Sequence, residues 1–394
     1  MTRIAVPSKE LQLHIIGSRG DYAATRIQRL TLSSEIPSET KDELGNSAHV
    51  GEAKDTPNVT LSFSAFDVGV RIFSALTGTD ATAYPAGGVD ISNLGQVDAA
   101  IYVKDPDVSD YVKSIHAHKL QIRDFSFSYT VDGDSTEDYT AIGSSRRYLK
   151  YDVQTDLITE GTTSFTLTET PLGLNNGDHL LSVILDGTYL DEVTGTPATG
   201  QYSVAGTTVT TFDSRVARFV AVYHSNPSGT NWSDVGDVNL PVAIRGKDVD
   251  ISISANDISR VQSVNLNGNL NVTAVKELGN REVVGYQSQV PTIEGSLTVL
   301  DTDTDLISLL TYGTVGSGME WMPGEGCANT TVTLKIELKD PCDVLTPFDV
   351  KKTVYLSEIV VTGESYTSNV NDNASQTFNF KSNDASCVIY SGAM

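Results

Sequence analysis

The chain has 394 residues and a formal net charge of −23. Nucleic-acid binding draws on counterion release from phosphate to Lys and Arg, so this balance argues against a protein that grips nucleic acid. No apolar run approaches the roughly 18 residues that cross a bilayer, and Cys327, Cys342 and Cys387 form neither an even disulfide set nor a CxxC zinc pair. The start, Met1 to Glu10, lacks the apolar core of a signal peptide, which leads to the expectation of folding in a reduced cytoplasm.

In chain order, a first strand is expected at 11–16 and a second at 27–32. A polar stretch, 33–58, follows; it is long for a plain loop, and loops beyond roughly 12–15 residues tend to have a partner or a task. After Pro57 the alternation is clear: Val59, Leu61 and Phe63 point one way, Thr60, Ser62 and Ser64 the other. A short helix is then expected, with Asp67 as its N-cap, Val70, Phe73, Ala75 and Leu76 as its apolar side and Gly78 as its stop. Strands through Ala99/Ile101/Val103, 122–129 and 139–142 complete the unit.

The chain then says much of this again. Arg26–Asp67 lies over Arg260–Asp301 without a gap, with Arg26/Arg260, Gln28/Gln262, Leu32/Leu266, Glu43/Glu277, Leu44/Leu278, Gly45/Gly279, Asn46/Asn280, Pro57/Pro291 and Asp67/Asp301 among the identities. The second copy repeats the strand 261–266, the polar stretch 267–292, and the alternation of Ile293, Leu297 and Val299 against Glu294, Ser296 and Thr298. Its helix has Asp301 as N-cap, Leu306, Leu309 and Leu310 as apolar side, and Gly313 as stop. Downstream, Ile101 to Pro106 answers Ile336 to Pro341, residues 122–125 answer 356–359, and 139–142 answer 377–380; upstream, 9–13 resembles 247–251. Alternation at Val272, Ala274 and Val275, and again at Val283 and Val284, suggests that the second polar stretch is an extended hairpin. A repeat of this length is a whole domain rather than a solenoid unit. Between the copies, 165–167, 180–185, 201–204, 208–212 and 218–223 read as short strands with turns at Asn176-Gly177 and Asp186-Gly187.

Motifs for chemistry are sparse. His116-Ala117-His118 would put two rings on one side of a strand, but a solvent-facing loop is the expected setting. Asp301 to Asp305 begins like a calcium loop, yet Leu306 stands where the glycine belongs and Tyr312 where the glutamate belongs. Asp132 to Asp138 reads as a solvated turn, Arg19-Gly20-Asp21 as a chance tripeptide, and Trp232 and Trp321 as loop anchors. Neither a catalytic group, a metal site nor a cofactor is singled out.

The strand, long polar hairpin, strand and helix order of 26–78 and 260–313, with Glu43-Leu44-Gly45-Asn46 and Glu277-Leu278-Gly279-Asn280 inside the hairpins, resembles the major tail protein of tailed bacteriophages, the tail tube subunit. The middle stretch, with Val183 to Gly187, Tyr202 to Val204 and Thr208 to Thr210, is similar to small β modules appended to phage structural proteins. The resemblance implies a mainly β chain. It would hold two homologous tail-tube-like β-sandwich or barrel domains, 1–145 with an N-terminal arm and 245–394, each with one short helix. A small all-β module, 146–244, would project from the outside of the tube. Since most members carry one fold per chain, a duplicated chain implies homotrimeric, pseudo-hexameric rings that stack into a tube. DNA would pass through the lumen without specific binding, and an acidic lumen would let it slide. The two tetrapeptides become candidate inter-ring contacts. The implied partners are the chain itself and the tape-measure and tail terminator or tip proteins. The implied location is the virion tail, after assembly in the host cytoplasm without a membrane. The alternative reading is another virion structural or decoration protein, or a surface adhesin binding through the middle module.

Overall fold

A computed structural model describes residues 11–24, 26–44, 51–66, 70–105, 110–158, 163–212, 218–225, 244–278, 283–300, 305–312, 331–340, 349–368, 370 and 373–392. The fold is mainly β, with two short α-helices among the described residues. The first copy supplies β1 (Leu11–Gly17), β2 (Gly20–Ala24), β3 (Ile27–Glu35), β4 (Ser38–Lys41), β5 (Gly51–Lys54), β6 (Asn58–Ala65) and α1 (Arg71–Thr77). It continues with β7 (Val89–Asp90), β8 (Gln96–Asp105), β9 (Asp110–Thr130), β10 (Thr136–Gly143) and β11 (Ser145–Leu149). The middle stretch forms β12 (Asp152–Ile158), β13 (Ser164–Thr166), β14 (Ser182–Leu185), β15 (Thr188–Tyr189), β16 (Asp191–Glu192), β17 (Gln201–Ala205), β18 (Thr208–Thr211) and β19 (Phe219–Ser225). The second copy supplies β20 (Val249–Ile253), β21 (Asn256–Asp257), β22 (Val261–Asn269), β23 (Val272–Val275), β24 (Gly285–Ser288) and β25 (Thr292–Leu300). After α2 (Asp305–Tyr312) come β26 (Val332–Asp340), β27 (Asp349–Thr367), β28 (Ser375–Ser382) and β29 (Cys387–Ser391).

The duplication is visible in backbone detail. Arg26 and Arg260 both take positive φ, 56° and 61°. Each accepts at its carbonyl from a residue at the far end of the partner strand, Phe66 N–H at 3.2 Å and Leu300 N–H at 3.1 Å. Each also accepts from the side chain two residues on, Gln28 and Gln262. The β3–β6 and β22–β25 ladders then slip at matching places, between Ile27 and Arg29 and between Val261 and Ser263. A bulge of this kind bends the strand and sharpens its twist.

Alternation decides which side is core. In β6, Val59, Leu61, Phe63 and Ala65 are buried while the residues between them face out. The inward side packs on Ile72, Phe73, Ala75 and Leu76 of α1, because a short helix is held by its apolar stripe. The chain leaves α1 through Gly78 in the left-handed region, whose N–H donates to the Ser74 carbonyl, as the sequence predicts. The helix start differs. In α1 the N-cap position is Val70, with no side-chain cap bond. Asp67, Asp301 and Gly313 lie outside the described residues.

Two further corrections concern register. Leu13 pairs with Ile101 and Ile251 with Ile336, so β8 and β26 correspond as expected. Beyond them the match shifts. Ala117 and Leu356 occupy equivalent places, as do Ile122 and Val361, so 122–125 does not answer 356–359. The link between β26 and β27, 341–348, is longer than its counterpart 106–109, and a gapless reading carries straight through it. Tyr139 accordingly matches Phe378, one place from the expected Thr377. The first copy also runs past 145, since β11 pairs with β9 from Ser145↔His118 to Leu149↔Ser114.

The middle stretch stacks two four-stranded sheets, β12-β19-β14-β15 and β13-β18-β17-β16, over its own core of Phe165, Val183, Val209, Phe219 and Tyr223. Asp186 and Gly187 both have positive φ and close the β14–β15 hairpin, the conformation such two-residue turns need. A third cluster, with Ile16, Ala100 and Tyr102 against Val153, Ile184, Val220 and Val222, joins this unit to the first copy.

Candidate assembly interface

The two copies are not separate beads. The C-terminal half of β9, in the first copy, pairs antiparallel with β22 of the second, from Thr130↔Ser263 through Phe127↔Leu266 to Asp124↔Asn269. One sheet therefore runs β3-β6-β10-β9-β22-β25-β28-β27 through the molecule. On its core side Phe125, Phe127, Tyr129, Val264 and Leu266 are buried. On the other side Ser126 and Ser128 hydroxyls donate to the Asn267 and Asn265 side-chain oxygens at 2.7 and 2.8 Å. Gly268 is required here, because a Cβ at that position would lie 2.1 Å from the Phe125 ring. Backbone bonds from Val131 N–H to Gln262 and from Leu270 N–H to Arg123 bracket the junction.

A second contact fixes the angle between the copies. Lys352 of β27 is wholly buried and its ammonium pairs with Glu137 of β10, while Tyr139 donates to the other Glu137 oxygen at 2.7 Å. The sequence reading of 132–138 as a solvated turn is corrected at this residue: Glu137 is 2% exposed because it answers a charge from the other copy. Nearby, β7 pairs with β29, and Tyr84 packs edge-on against Tyr390 at 5.1 Å.

The joined sheet leaves two edges without a neighbouring strand among the described residues: the outer side of β3, and the side of β27 beyond Val361 that faces away from β28. Burial along them differs from the joined versions. Val264 and Leu266 are 0% exposed, whereas their counterparts Leu30 and Leu32 are only half-buried; Phe127 is 0% exposed and its counterpart Tyr366 is 57% exposed.

Both polar stretches rise as two-stranded hairpins outside the main sheet, β4–β5 and β23–β24, in equivalent positions. They touch where the Lys276 ammonium, just past the turn-side end of β23, lies 3.1 Å from Asp55, just past the base-side end of β5. The backbone N–H of Thr56, with Lys276, holds the Asp55 carboxyl below its usual range. Of the eight residues expected to make contacts, Glu43, Leu44, Glu277 and Leu278 sit at the described ends of these hairpins and are exposed, both leucines completely. Gly45, Asn46, Gly279 and Asn280 lie outside the described residues, as do Cys327, Cys342, Trp232 and Trp321.

The histidine pair is neither a loop nor a ligand set. His116 and His118 are on β9 and converge on Asp98 of β8, at 3.0 and 3.2 Å. Asp98 also accepts from the Lys119 N–H, the Ser182 hydroxyl at 2.6 Å and the Tyr189 hydroxyl at 2.9 Å. Full burial works against its charge, yet His118 and His116 outweigh burial and hold the carboxyl well below the usual range. The knot ties the middle unit to the first copy. Among the described residues no three His, Cys, Asp or Glu side chains are grouped to hold a metal ion. Arg19 is likewise used internally, donating to the Gly78 carbonyl and pairing with Asp80.

No protein-family model matches the chain, and no curated protein matches it.

Proposed function

We propose that this chain is the structural subunit of a hollow tube of the tailed-phage kind, built from stacked rings of three chains. The observation that carries the reading is the β9–β22 junction. Two copies of one fold are joined edge to edge in a continuous sheet, with one edge at each end left without a neighbouring strand among the described residues. An edge that pairs head to tail either closes a ring or grows without limit. Three duplicated chains supply six equivalent folds, the pseudo-sixfold ring that the resemblance implies.

The sheet face opposite the core suits a channel wall, with the carboxylates Asp124, Asp138 and Glu294 set among neutral polar groups. It carries Ser62, Thr140, Ser126, Ser128, Asn265, Asn267, Ser296, Asn379 and Thr377, hydroxyls and amides in register across the joined strands. Its cations stand beside carboxylates: Arg29 is 3.4 Å from Asp138, and Lys381 is opposite Glu294. A phosphate backbone passing such a wall meets few free cations to release counterions to, so it slides for want of attraction more than by repulsion. The fully exposed Leu44 and Leu278, at the described ends of the hairpins, are apolar surface that a stacked ring would cover.

Negative-stain electron microscopy of the purified chain, with its mass in solution, tests the reading. Hollow rings or tubes with three chains per ring are expected. A chain that stays monomeric at every concentration would overturn it and favour a decoration or adhesion protein acting through the middle unit.

A further inference from the structure

The chain carries a finished copy of an interface whose other two halves it leaves open, and the finished copy dictates how they meet. Leu30 pairs with Phe63 as Val264 pairs with Leu297, so β3 and β22 correspond residue by residue. Tyr139 pairs with Phe125 as Phe378 pairs with Glu364, so Phe125, Phe127 and Tyr129 of β9 correspond to Glu364, Tyr366 and Ser368.

We propose that β3 of one molecule adds antiparallel to the C-terminal half of β27 in a second molecule of this chain, in the register of the β9–β22 junction. Leu30 then faces Ser368, Leu32 faces Tyr366 and Ser34 faces Glu364 on the core side. On the other side Thr31 faces Thr367 and Ser33 faces Ser365, taking the places of the Asn265–Ser128 and Asn267–Ser126 hydrogen bonds. This assignment rests on the ring reading above and names the surface that closes it.

The substitutions between the two versions fit a joint made after folding. Inside the chain the core side of the junction is buried, and it is filled by Phe125, Phe127 and Tyr129. The open edge carries Glu364, Tyr366 and Ser368 in their places, which keeps a solvent-facing strand soluble and discourages indiscriminate pairing. The lysine follows the same logic. Lys113 pairs with Val103 as Lys352 pairs with Leu338, so Lys113 is the counterpart of the buried Lys352, and it is exposed. At the place it would enter, Gln376 stands for Glu137 and donates to Glu364 at 2.6 Å. Glu364 thus becomes the counter-charge that Glu137 is within the chain.

Two cysteine pairs in the full chain, with Cys327 and Cys342 replaced by serine, read the register. Directly opposed antiparallel residues stand about 4.5–5.5 Å apart at Cα, within disulfide range. Ser33→Cys with Ser365→Cys is expected to oxidise to covalent species that end at three chains and revert with reductant. Ser33→Cys with Tyr366→Cys places the thiols on opposite sheet faces and is expected to stay at least tenfold less linked. Rings that form normally while the first pair stays unlinked, or links no better than the second, would overturn the register and leave the tube reading standing. The absence of any association would overturn both. As a second measurement, Lys113→Glu is expected to block ring formation and Lys113→Glu with Glu364→Lys to restore it; a single variant that assembles normally would overturn the assigned pair.

Discussion

The ammonium of Lys352, from the second copy, is completely buried against the carboxylate of Glu137, from the first, with the Phe73 and Phe127 ring centres 4.4 and 4.9 Å away. The pair spans the two halves, so it acts on how they are set together as well as on stability. Lys352→Met keeps most of the volume but leaves a buried carboxylate without its counter-charge. Breaking one side of such a pair costs about 3–5 kcal/mol. Lys352→Met with Glu137→Gln removes both charges and is expected to recover more than half of that loss. Urea unfolding of the two variants checks it; a single variant within about 1 kcal/mol of the parent would show that the pair is not what holds the halves.

Arg260 makes a different kind of statement, because its exposed side chain matters less than its backbone. A non-glycine residue at positive φ costs roughly 1–2 kcal/mol, and here it bends β22 into the bulge that precedes the junction. Arg260→Gly is expected to unfold within about 0.5 kcal/mol of the parent, glycine meeting this φ without strain. Arg260→Val, β-branched, is expected to lose about 1–2 kcal/mol. Thermal unfolding that ranks valine equal to glycine would remove the argument.

Much of this architecture was legible in the sequence, since alternation and duplication are local signals. Val59, Leu61 and Phe63 announce β6, and Val272, Ala274 and Val275 announce the second hairpin. Features that depend on distant partners were not. Nothing near Glu137 marks it as buried, because its counter-charge lies in the other copy. His116 and His118 read as solvent-facing because Asp98, Ser182 and Tyr189 come from other strands. The length of β9 and β27 was missed for a third reason. Both strands bend through a positive-φ residue, Lys119 and Glu358, and that break interrupts the period by which a strand is recognised.

The hairpin tips offer a clean separation of folding from assembly. Leu44 and Leu278 are fully exposed among the described residues, so replacing both with serine is expected to change stability by less than about 0.5 kcal/mol. If they sit between stacked rings, the same double variant forms rings that fail to lengthen into tubes. Electron microscopy of the variant beside its unfolding curve decides the matter. Tubes of ordinary length would leave the tips without this role.

Asp152 gives the joint between the first copy and the middle unit a pH dependence. The residue is 1% exposed at the start of β12, and burial, helped by the negative Asp21, pushes its carboxyl up to about 7. The Val153 N–H and the Gln154 side chain, bonded at 2.5 Å, offset only part of this. Unfolded, the same group titrates near 3.9. Between these values the folded protein keeps a proton that the unfolded chain has released. The stability this contributes is complete below about pH 4, falls as pH rises toward 7, and is gone above it. At about 1.4 kcal/mol per unit the whole span is on the order of 1–4 kcal/mol. Asp152→Asn stays neutral throughout, so the variant and the parent are expected to match near pH 4 and to diverge by pH 8 in favour of the variant. Unfolding curves taken across that range measure the divergence directly. Parallel curves would mean that the carboxyl is solvated and that the joint does not respond to pH through this residue.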